Sequence, residues 1–182
     1  MAVEQMVIGG VVAMTRDGTM GREGALPWHI PSDLLRFKRI TSGEPGEEHA
    51  VIMGRETWMS LPSRFRPLPG RSNLVLSRTP DFVLTEAEVH SSIESALSSC
   101  QQQSITHAWV IGGREVYASA LDLLQILHVT WVEAEVDGDV RFPEFALSEW
   151  EIVEEESIMV QGDDHPTTYV LFKRRGESPV WA

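Results

Sequence analysis

The chain has 182 residues, of which 42% are hydrophobic, and it carries a formal net charge of -12 at pH 7. This length and composition predict a single compact domain over residues 1–175, followed by a C-terminal tail at residues 176–182. The acidic charge excludes a nucleic-acid binder that relies on Lys and Arg to neutralise phosphates.

Apolar segments alternate along the chain with segments of helical pattern. Several apolar segments are continuous runs rich in Val and Ile, which is typical of strands buried on both faces of a parallel sheet. The predicted strands are 6–14, 50–53, 73–76, 108–111, 126–135, 150–160 and 168–173, and the predicted helices are 33–40, 56–61, 92–100 and 115–121.

The last two apolar segments are joined by "QGDDHPT", which leaves no room for a helix, so they should pair as an antiparallel hairpin at one edge. The predicted fold is therefore α/β: a predominantly parallel central sheet, an antiparallel C-terminal hairpin at its edge, and helices on both faces.

Compartment is predicted from what the sequence lacks. Cys100 is the only cysteine, which excludes an internal disulfide and fits a reducing compartment. There is no signal peptide and no apolar run long enough to cross a bilayer. We expect a cytoplasmic protein without a membrane or nucleic-acid partner, and we expect a monomer.

The stretch "LPWHIPSDLLRFKRIT" places an acid where core residues are expected. Ser32 is predicted to cap a helix in which Asp33, Phe37 and Ile40 share one stripe. The carboxylate of Asp33 either interacts with the free N–H groups of the first turn, or faces a cavity and binds a cationic or amide-like group there. The stretch alone favours the first interpretation.

Two segments have the form of a strand that ends in glycine before a helix. "WVIGGREVY" places Gly112 and Gly113 where an α/β sheet binds phosphate, although a tight packing turn explains them equally well. "VIMGRETW" places Arg55 after Gly54, and either a phosphate site or a surface arginine at a helix start fits that pattern. Arg78 ends the strand "NLVLSR" and could supply a second cation.

The remaining charged and nucleophilic residues give weaker signals. Arg71 follows a Pro-Gly turn, which suits carboxylate binding, but a solvated turn arginine is commoner. The six histidines lack metal-ligand spacing, and no G-x-S-x-G elbow is present. We therefore expect neither a metal site nor acyl-transfer chemistry.

Taken together and in this order, five stretches resemble the dihydrofolate reductase family, in its bacterial chromosomal type. They are "AMTRDGTMGREGALPWHIPSDLLRFK", "VIMGRETW", "RPLPGRSNLVLSR", "VIGGREVY" and "VTWVEAEVDGDVRFPEF". The resemblance implies reduction of 7,8-dihydrofolate to 5,6,7,8-tetrahydrofolate, with hydride transfer from NADPH to C6 and protonation of N5 through water. It also implies binding of antifolate inhibitors such as trimethoprim and methotrexate.

The resemblance assigns the substrate site. Asp33 matches the acid that accepts hydrogen bonds from the 2-amino group and N3 of the pterin, in a pocket where desolvation should raise its pKa. Trp28 and Thr130 match the residues that hold an ordered water and support this carboxylate, and Leu26 belongs to a mobile lid, "DGTMGREGALPW". Arg71 should pair with the α-carboxylate of the glutamate tail. The remaining implied lining residues are Ala13, Leu34, Phe37, Leu61, Leu68 and Ile111.

The resemblance also assigns the cofactor site, with a cis peptide expected between Gly112 and Gly113 over the pyrophosphate. The residues matching the adenosine phosphates are Arg55, Thr57, Ser77 and Arg78. The others matching cofactor positions are Ala13, Gly21, Gly54, Ile111, Arg114, Glu115, Val116 and Tyr117. Glu56 departs from the family pattern, because some members have a basic residue near the 2′-phosphate.

Two other functions stay open at this point. A related pyrimidine reductase of riboflavin synthesis shares the sheet, but it is not expected to keep both Asp33 and Arg71. A catalytically inactive folate or nucleotide binding module would bind ligand without turnover.

Overall fold

The computed structural model describes residues 5–176, so residues 177–182 of the expected tail lie outside the described residues. The strands are β1 Val7–Thr15, β2 Thr19–Gly21, β3 His49–Gly54, β4 Ser72–Leu76, β5 Glu88–His90, β6 His107–Val110, β7 Ile126–Val132, β8 Val140–Arg141, β9 Trp150–Ile158 and β10 Thr167–Arg174. The helices are α1 Pro31–Ser42, α2 Arg55–Ser60, α3 Ile93–Gln102 and α4 Arg114–Ala120, and 3₁₀ turns lie at Ser63–Phe65, Leu121–Leu123 and Leu147–Glu149.

The central sheet has eight strands in the order β5-β4-β3-β6-β1-β7-β10-β9. The first six strands in this order, from β5 through β4, β3, β6 and β1 to β7, pair in parallel. Strand β10 pairs antiparallel with β7 and β9, which places the C-terminal hairpin at one edge. The predicted sheet type and the edge hairpin are both confirmed.

Alternate side chains of each strand pack on opposite faces of the sheet. In β3, Ala50 and Ile52 join a cluster that includes helices α3 and α4, whereas Val51 and Met53 join a cluster that includes helices α1 and α2. This alternation follows from the two-residue period of a strand, and burial on both faces explains why β3 reads as a continuous apolar run. The expected helices on both faces are confirmed.

The start of α1 differs from the prediction. The helix begins at Pro31, whose fixed φ suits the first helical position, and Ile30 precedes it without a side-chain capping bond. Ser32 therefore lies inside the helix. Asp163, in the turn between β9 and β10, accepts hydrogen bonds from Ser32 N at 3.1 Å and from Ser32 Oγ at 2.5 Å. An acid from a distant turn supplies the cap that was predicted for Ser32.

Three strand predictions need correction. The segment Thr19–Gly21, predicted as irregular loop, pairs with β8 in a separate two-stranded sheet. The short strand β5, which was not predicted, extends the sheet beyond β4. Strand β7 ends at Val132 rather than at residue 135, because Ala134 N donates to Val132 O at 2.9 Å and the chain turns away. Within residues 5–176, no helix is both long and apolar enough to cross a membrane.

Candidate active site

Several of the predicted cofactor residues lie at the carboxyl-terminal ends of the parallel strands. Gly54 and Arg55 follow β3, Ser77 and Arg78 follow β4, and Ile111 follows β6. These three strands are neighbours in the sheet, so their carboxyl ends meet. Ligands of open α/β sheets bind outside the carboxyl-terminal ends of the strands. The sequence alone could not establish this adjacency, because it depends on strand order.

Asp33 lies in the first turn of α1 and faces β7. Thr130 Oγ1 donates to Asp33 Oδ1 at 2.6 Å, which orients the carboxylate, and Oδ2 accepts no hydrogen bond from residues 5–176. Burial raises the pKa of Asp33, as expected, whereas the bond from Thr130 and the charge of Arg36 lower it and the charge of Asp163 raises it. A carboxylate has lone pairs for about four hydrogen bonds, so Oδ1 and Oδ2 can together accept paired hydrogen bonds from an amidine-like group while Oδ1 also accepts from Thr130.

Apolar residues predicted to line the pocket fall into two clusters. Phe37, Leu61, Leu68 and Ile111 belong to one cluster with Trp58. Ala13 and Trp28 belong to a second cluster, with Val132. Leu26 and Leu34, by contrast, are 53% and 50% exposed. The structure thus brings together two apolar groups, and leaves two predicted lining residues open to solvent.

Arg71 is oriented by two hydrogen bonds. Its Nη1 donates to Thr41 Oγ1 at 2.7 Å and its Nε donates to Pro69 O at 3.0 Å. Thr41 in turn donates to Phe37 O at 2.8 Å, so the guanidinium is tied to the last turn of α1. Burial lowers the pKa of Arg71. Since its donors on Nη2 are unused by the described residues, the guanidinium can bind a carboxylate bidentately.

The turn after β6 contains two glycines, of which Gly112 is buried and Gly113 is partly buried. The Gly112–Gly113 peptide is cis, as the resemblance predicted. Gly54 N donates to Gly112 O at 2.8 Å, which joins the ends of β3 and β6. Gly112 has φ +121°, and a Cβ there would lie 3.4 Å from Tyr117. The positive φ of Gly112 is a backbone conformation that favours glycine at this position.

Polar groups surround this turn in a way that fits a phosphorylated cofactor. Thr57 Oγ1 lies 3.6 Å from the position of a Cβ on Gly113. Arg55 Nη1 donates to Thr79 Oγ1 at 3.1 Å, and Thr79 N donates to Ser77 Oγ at 3.2 Å. Arg55 and Arg78 are exposed. Two exposed cations and several hydroxyl groups therefore lie at the ends of β3 and β4, and groups of these types can bind phosphate.

The other predicted cofactor residues have mixed surroundings. Tyr117 is buried, and its hydroxyl donates to Val11 O at 2.6 Å. Val116 is also buried, whereas Glu115 is exposed. Arg114 Nη1 donates to Arg141 O at 2.7 Å. The guanidinium of Arg114 therefore reaches β8.

The segment predicted as a lid is attached to the rest of the fold at both of its ends, since Met20 and Trp28 are buried. Gly21 O accepts from Asp139 N at 3.1 Å, and the Asp139 carboxylate accepts from Glu23 N at 3.2 Å. Gly21 also pairs with Val140 of β8. The small β2–β8 sheet therefore holds the beginning of this segment, while Leu26 further along is exposed.

Sequence reasoning missed three charged residues that act on this site: Arg36, Asp139 and Asp163. Arg36 had a signal in the sequence, because it lies at the helical i+3 position from Asp33. Asp139 and Asp163 had none, since their partners are more than 100 positions away along the chain. Only the tertiary fold brings them to the site.

Two other features of the structure lie apart from this edge. A cavity of about 440 Å³ on the C-terminal hairpin is lined by none of the predicted site residues. Glu47, His49 and His107 place potential metal-binding atoms within 4.8 Å of one another. However, Trp109 Nε1 donates to His49 Nδ1 at 3.0 Å, so Nε2 of neutral His49 carries the proton and donates to Glu47 at 3.1 Å. His49 is thereby a hydrogen-bonded residue rather than a ready metal ligand.

Comparisons with known proteins agree with this geometry. The family model described as dihydrofolate reductase matches residues 7–174. A dihydrofolate reductase of Mycobacterium leprae is 44% identical over 75% of this chain and 81% of its own length. One from Neisseria gonorrhoeae is 38% identical over 89% of this chain and 94% of its own length. A dihydrofolate reductase from Enterococcus faecalis, solved in complex with NADP(H) and RAB-propyl, superposes with a TM-score of 0.82 at 28% identity, covering 93% of this chain and 96% of that one. The chain belongs to the dihydrofolate reductase family.

Proposed function

We propose that Asp33 and the carboxyl-terminal ends of the parallel strands form the active site. There this chain reduces 7,8-dihydrofolate to 5,6,7,8-tetrahydrofolate with NADPH. Membership of the dihydrofolate reductase family makes the chain an NADPH-dependent oxidoreductase. The observation that carries the site assignment is the carboxylate of Asp33, which is held by Thr130 and has its pKa raised by burial.

Asp33 recognises the pterin ring. The two carboxylate oxygens together accept from the 2-amino group and N3 of the ring, and Oδ1 also accepts from Thr130. Phe37, Leu61 and Ile111 pack against the ring and the p-aminobenzoyl group, and Arg71 binds the α-carboxylate of the glutamate tail. The remaining lining residues are Ala13, Leu26, Leu34 and Leu68. Holding both ends of the substrate fixes the reacting carbon relative to the cofactor.

Proton delivery to N5 is through water. Asp33 binds the side of the ring away from N5, so it does not deliver this proton itself. From that side it favours the pterin state that reacts. Trp28 is 7% exposed and packs with Ala13 and Val132, so it shields the pocket while Thr130 orients the carboxylate. Excluding bulk water around one ordered molecule keeps the proton transfer specific.

The glycine turn and the polar residues at the neighbouring strand ends fit NADPH. Gly112 and Gly113 would hold the pyrophosphate, and Arg55 and Arg78 would bind the adenosine phosphates. Other residues that would hold it are Ala13, Gly21, Gly54, Thr57, Ser77, Ile111, Arg114, Glu115, Val116 and Tyr117. When bound, NADPH supplies the hydride for C6 of the substrate.

We further propose that residues 1–175 act as one domain in the cytoplasm, as a monomer without a nucleic-acid partner. The net charge of -12 supports the absence of nucleic-acid binding. Dihydrofolate and antifolate inhibitors would be its small-molecule partners. Sedimentation of the purified chain with and without NADPH tests the monomer, and a dimer would contradict it.

The experiment that tests the function measures the loss of NADPH absorbance on addition of dihydrofolate. The natural protein is compared with Asp33→Asn, which keeps the shape and removes the charge, and with Asp122→Asn, which makes the same change at an exposed position. We expect turnover to collapse only in Asp33→Asn. Equal turnover in all three proteins would remove Asp33 from the mechanism.

The same assay separates the two alternative functions. A folded protein that binds NADPH but reduces a ribosylamino-pyrimidine instead of dihydrofolate would be the related pyrimidine reductase. Binding of folate and NADPH without any turnover would indicate a binding module.

A further inference from the structure

Arg36 is a basic residue of helix α1 whose side chain points toward the protein interior. Its side chain is only 12% exposed. Among the described residues, its Nε is buried without a hydrogen-bond partner. A buried charge is costly unless it is paired, so a cation at this place needs an explanation. The residue lies three positions after Asp33, and side chains at this spacing are neighbours on a helix.

The known partners of Arg36 only partly neutralise it. Nη2 lies 3.1 Å from Glu156 Oε2, but the Glu156 side chain is 59% exposed and therefore well screened by water. The guanidinium carbon lies 4.3 Å from the centre of the Tyr169 ring, which is a cation–π contact. The Tyr169 hydroxyl is 2.7 Å from Nδ1 of His128. Burial lowers the pKa of His128 to about 4, so that residue adds no charge at neutral pH.

On the basis of the proposed function, we propose that Arg36 is a positioning residue whose charge favours the ionised form of Asp33 in the ligand-free site, and so shifts the pH range over which the site accepts the pterin ring. Arg36 does not need to touch the substrate for this. The charge of Arg36 acts on Asp33, which lies three positions earlier in the same helix. Glu156 and Tyr169, in the C-terminal hairpin, hold the guanidinium in place.

The groups around Asp33 shift its pKa in both directions. Burial is the largest influence and raises the pKa of Asp33, and the charge of Asp163 adds to this. The bond from Thr130 and the charge of Arg36 lower the pKa. Arg36 is the cation in this balance, so removing it leaves the effects of burial and Asp163 opposed by one hydrogen bond only. The other titratable groups packed around Asp33, Arg36 and Tyr169 are Tyr117, His128, Arg39, Glu154 and Glu156.

The test is a titration of Asp33 by carbon-13 NMR of its carboxyl group in the ligand-free, full-length protein, with Asp33→Asn to assign the signal. Arg36→Met removes the charge and keeps an unbranched chain that can pack on Tyr169. Arg36→Lys keeps the charge. Lys38→Met makes the same charge change at an exposed position of the same helix.

We expect the Asp33 midpoint to move to higher pH in Arg36→Met, to return toward the natural value in Arg36→Lys, and to stay in place in Lys38→Met. A displacement of one pH unit would change the ratio of ionised to protonated Asp33 by about tenfold. An unchanged midpoint in Arg36→Met would overturn the proposal, and so would an equal displacement in Lys38→Met.

A second variant keeps the proposal testable if Arg36→Met does not fold. Glu156→Gln removes the negative charge but keeps a side-chain oxygen that can accept from Arg36 Nη2, so the guanidinium stays in place and the Asp33 midpoint should move to lower pH. Movement to higher pH, or none, would count against the role of Arg36. The titration needs no turnover, so its outcome is independent of the assay for the proposed function. In turnover assays, the acid side of the pH profile of kcat/KM should move in the same direction as the Asp33 midpoint.

Discussion

Replacing Arg71 by alanine should weaken binding of ligands that carry a glutamate tail, and leave binding of the pterin ring nearly unchanged. A guanidinium has five N–H donors. The Nε donor goes to Pro69 O and one Nη1 donor goes to Thr41 Oγ1, which leaves three donors for a ligand. These three donors are enough for a bidentate pair with one carboxylate, in the geometry that arginine prefers.

The size of the effect follows from this arrangement. One charge-assisted contact contributes about 1.5 to 3 kcal/mol, which corresponds to about a tenfold to 150-fold loss of affinity. Arg71 is partly buried, and this burial lowers the pKa of its guanidinium. We therefore expect a measurable loss rather than one cancelled by screening, as occurs for exposed pairs.

The assay compares dissociation constants, by fluorescence quenching, for a pteroylglutamate inhibitor and for a 2,4-diaminopyrimidine that lacks the tail. Arg64→Ala serves as the control, because Arg64 is an exposed arginine in the nearby 3₁₀ turn. Only Arg71→Ala should separate the two ligands. Equal losses for both ligands would refute the assignment of Arg71 to the tail.

Two further predictions concern the cofactor and the pH dependence of stability. Arg55→Ala combined with Arg78→Ala should narrow the preference for NADPH over NADH in steady-state kinetics, since both cations follow neighbouring strands; an unchanged ratio would place the 2′-phosphate elsewhere. Burial raises the pKa of Asp33, so the folded chain binds this proton more tightly than the unfolded chain. The stabilisation is complete below the usual carboxyl range and is lost as pH rises through the raised pKa. Asp33→Asn should therefore unfold in more urea than the natural protein at pH 7, by about 1.4 kcal/mol for each pH unit between the folded and unfolded pKa values. Lower stability of Asp33→Asn at pH 7 would contradict this.

The sequence by itself determined the elements that depend on local pattern. Continuous runs such as residues 50–53 predicted strands buried on both faces, because both faces of a parallel strand are covered. The short link "QGDDHPT" predicted the hairpin, because a parallel crossover needs a longer connection. The position of Asp33 on an apolar stripe of α1 marked a residue in need of a partner, although the stripe left two explanations open.

Only the tertiary structure decided which residues meet. Thr130 lies 97 positions from Asp33 along the chain, and its hydrogen bond to the carboxylate exists because β7 lies beside β1 and opposite α1. The cap of α1 comes from Asp163, which is 131 positions from Ser32, so local pattern assigned it to the wrong residue. Such contacts depend on strand order and on the path of loops, and no periodicity in the sequence encodes them. The charge on Arg36 was visible in the sequence, but its effect on Asp33 required the burial that the C-terminal hairpin provides.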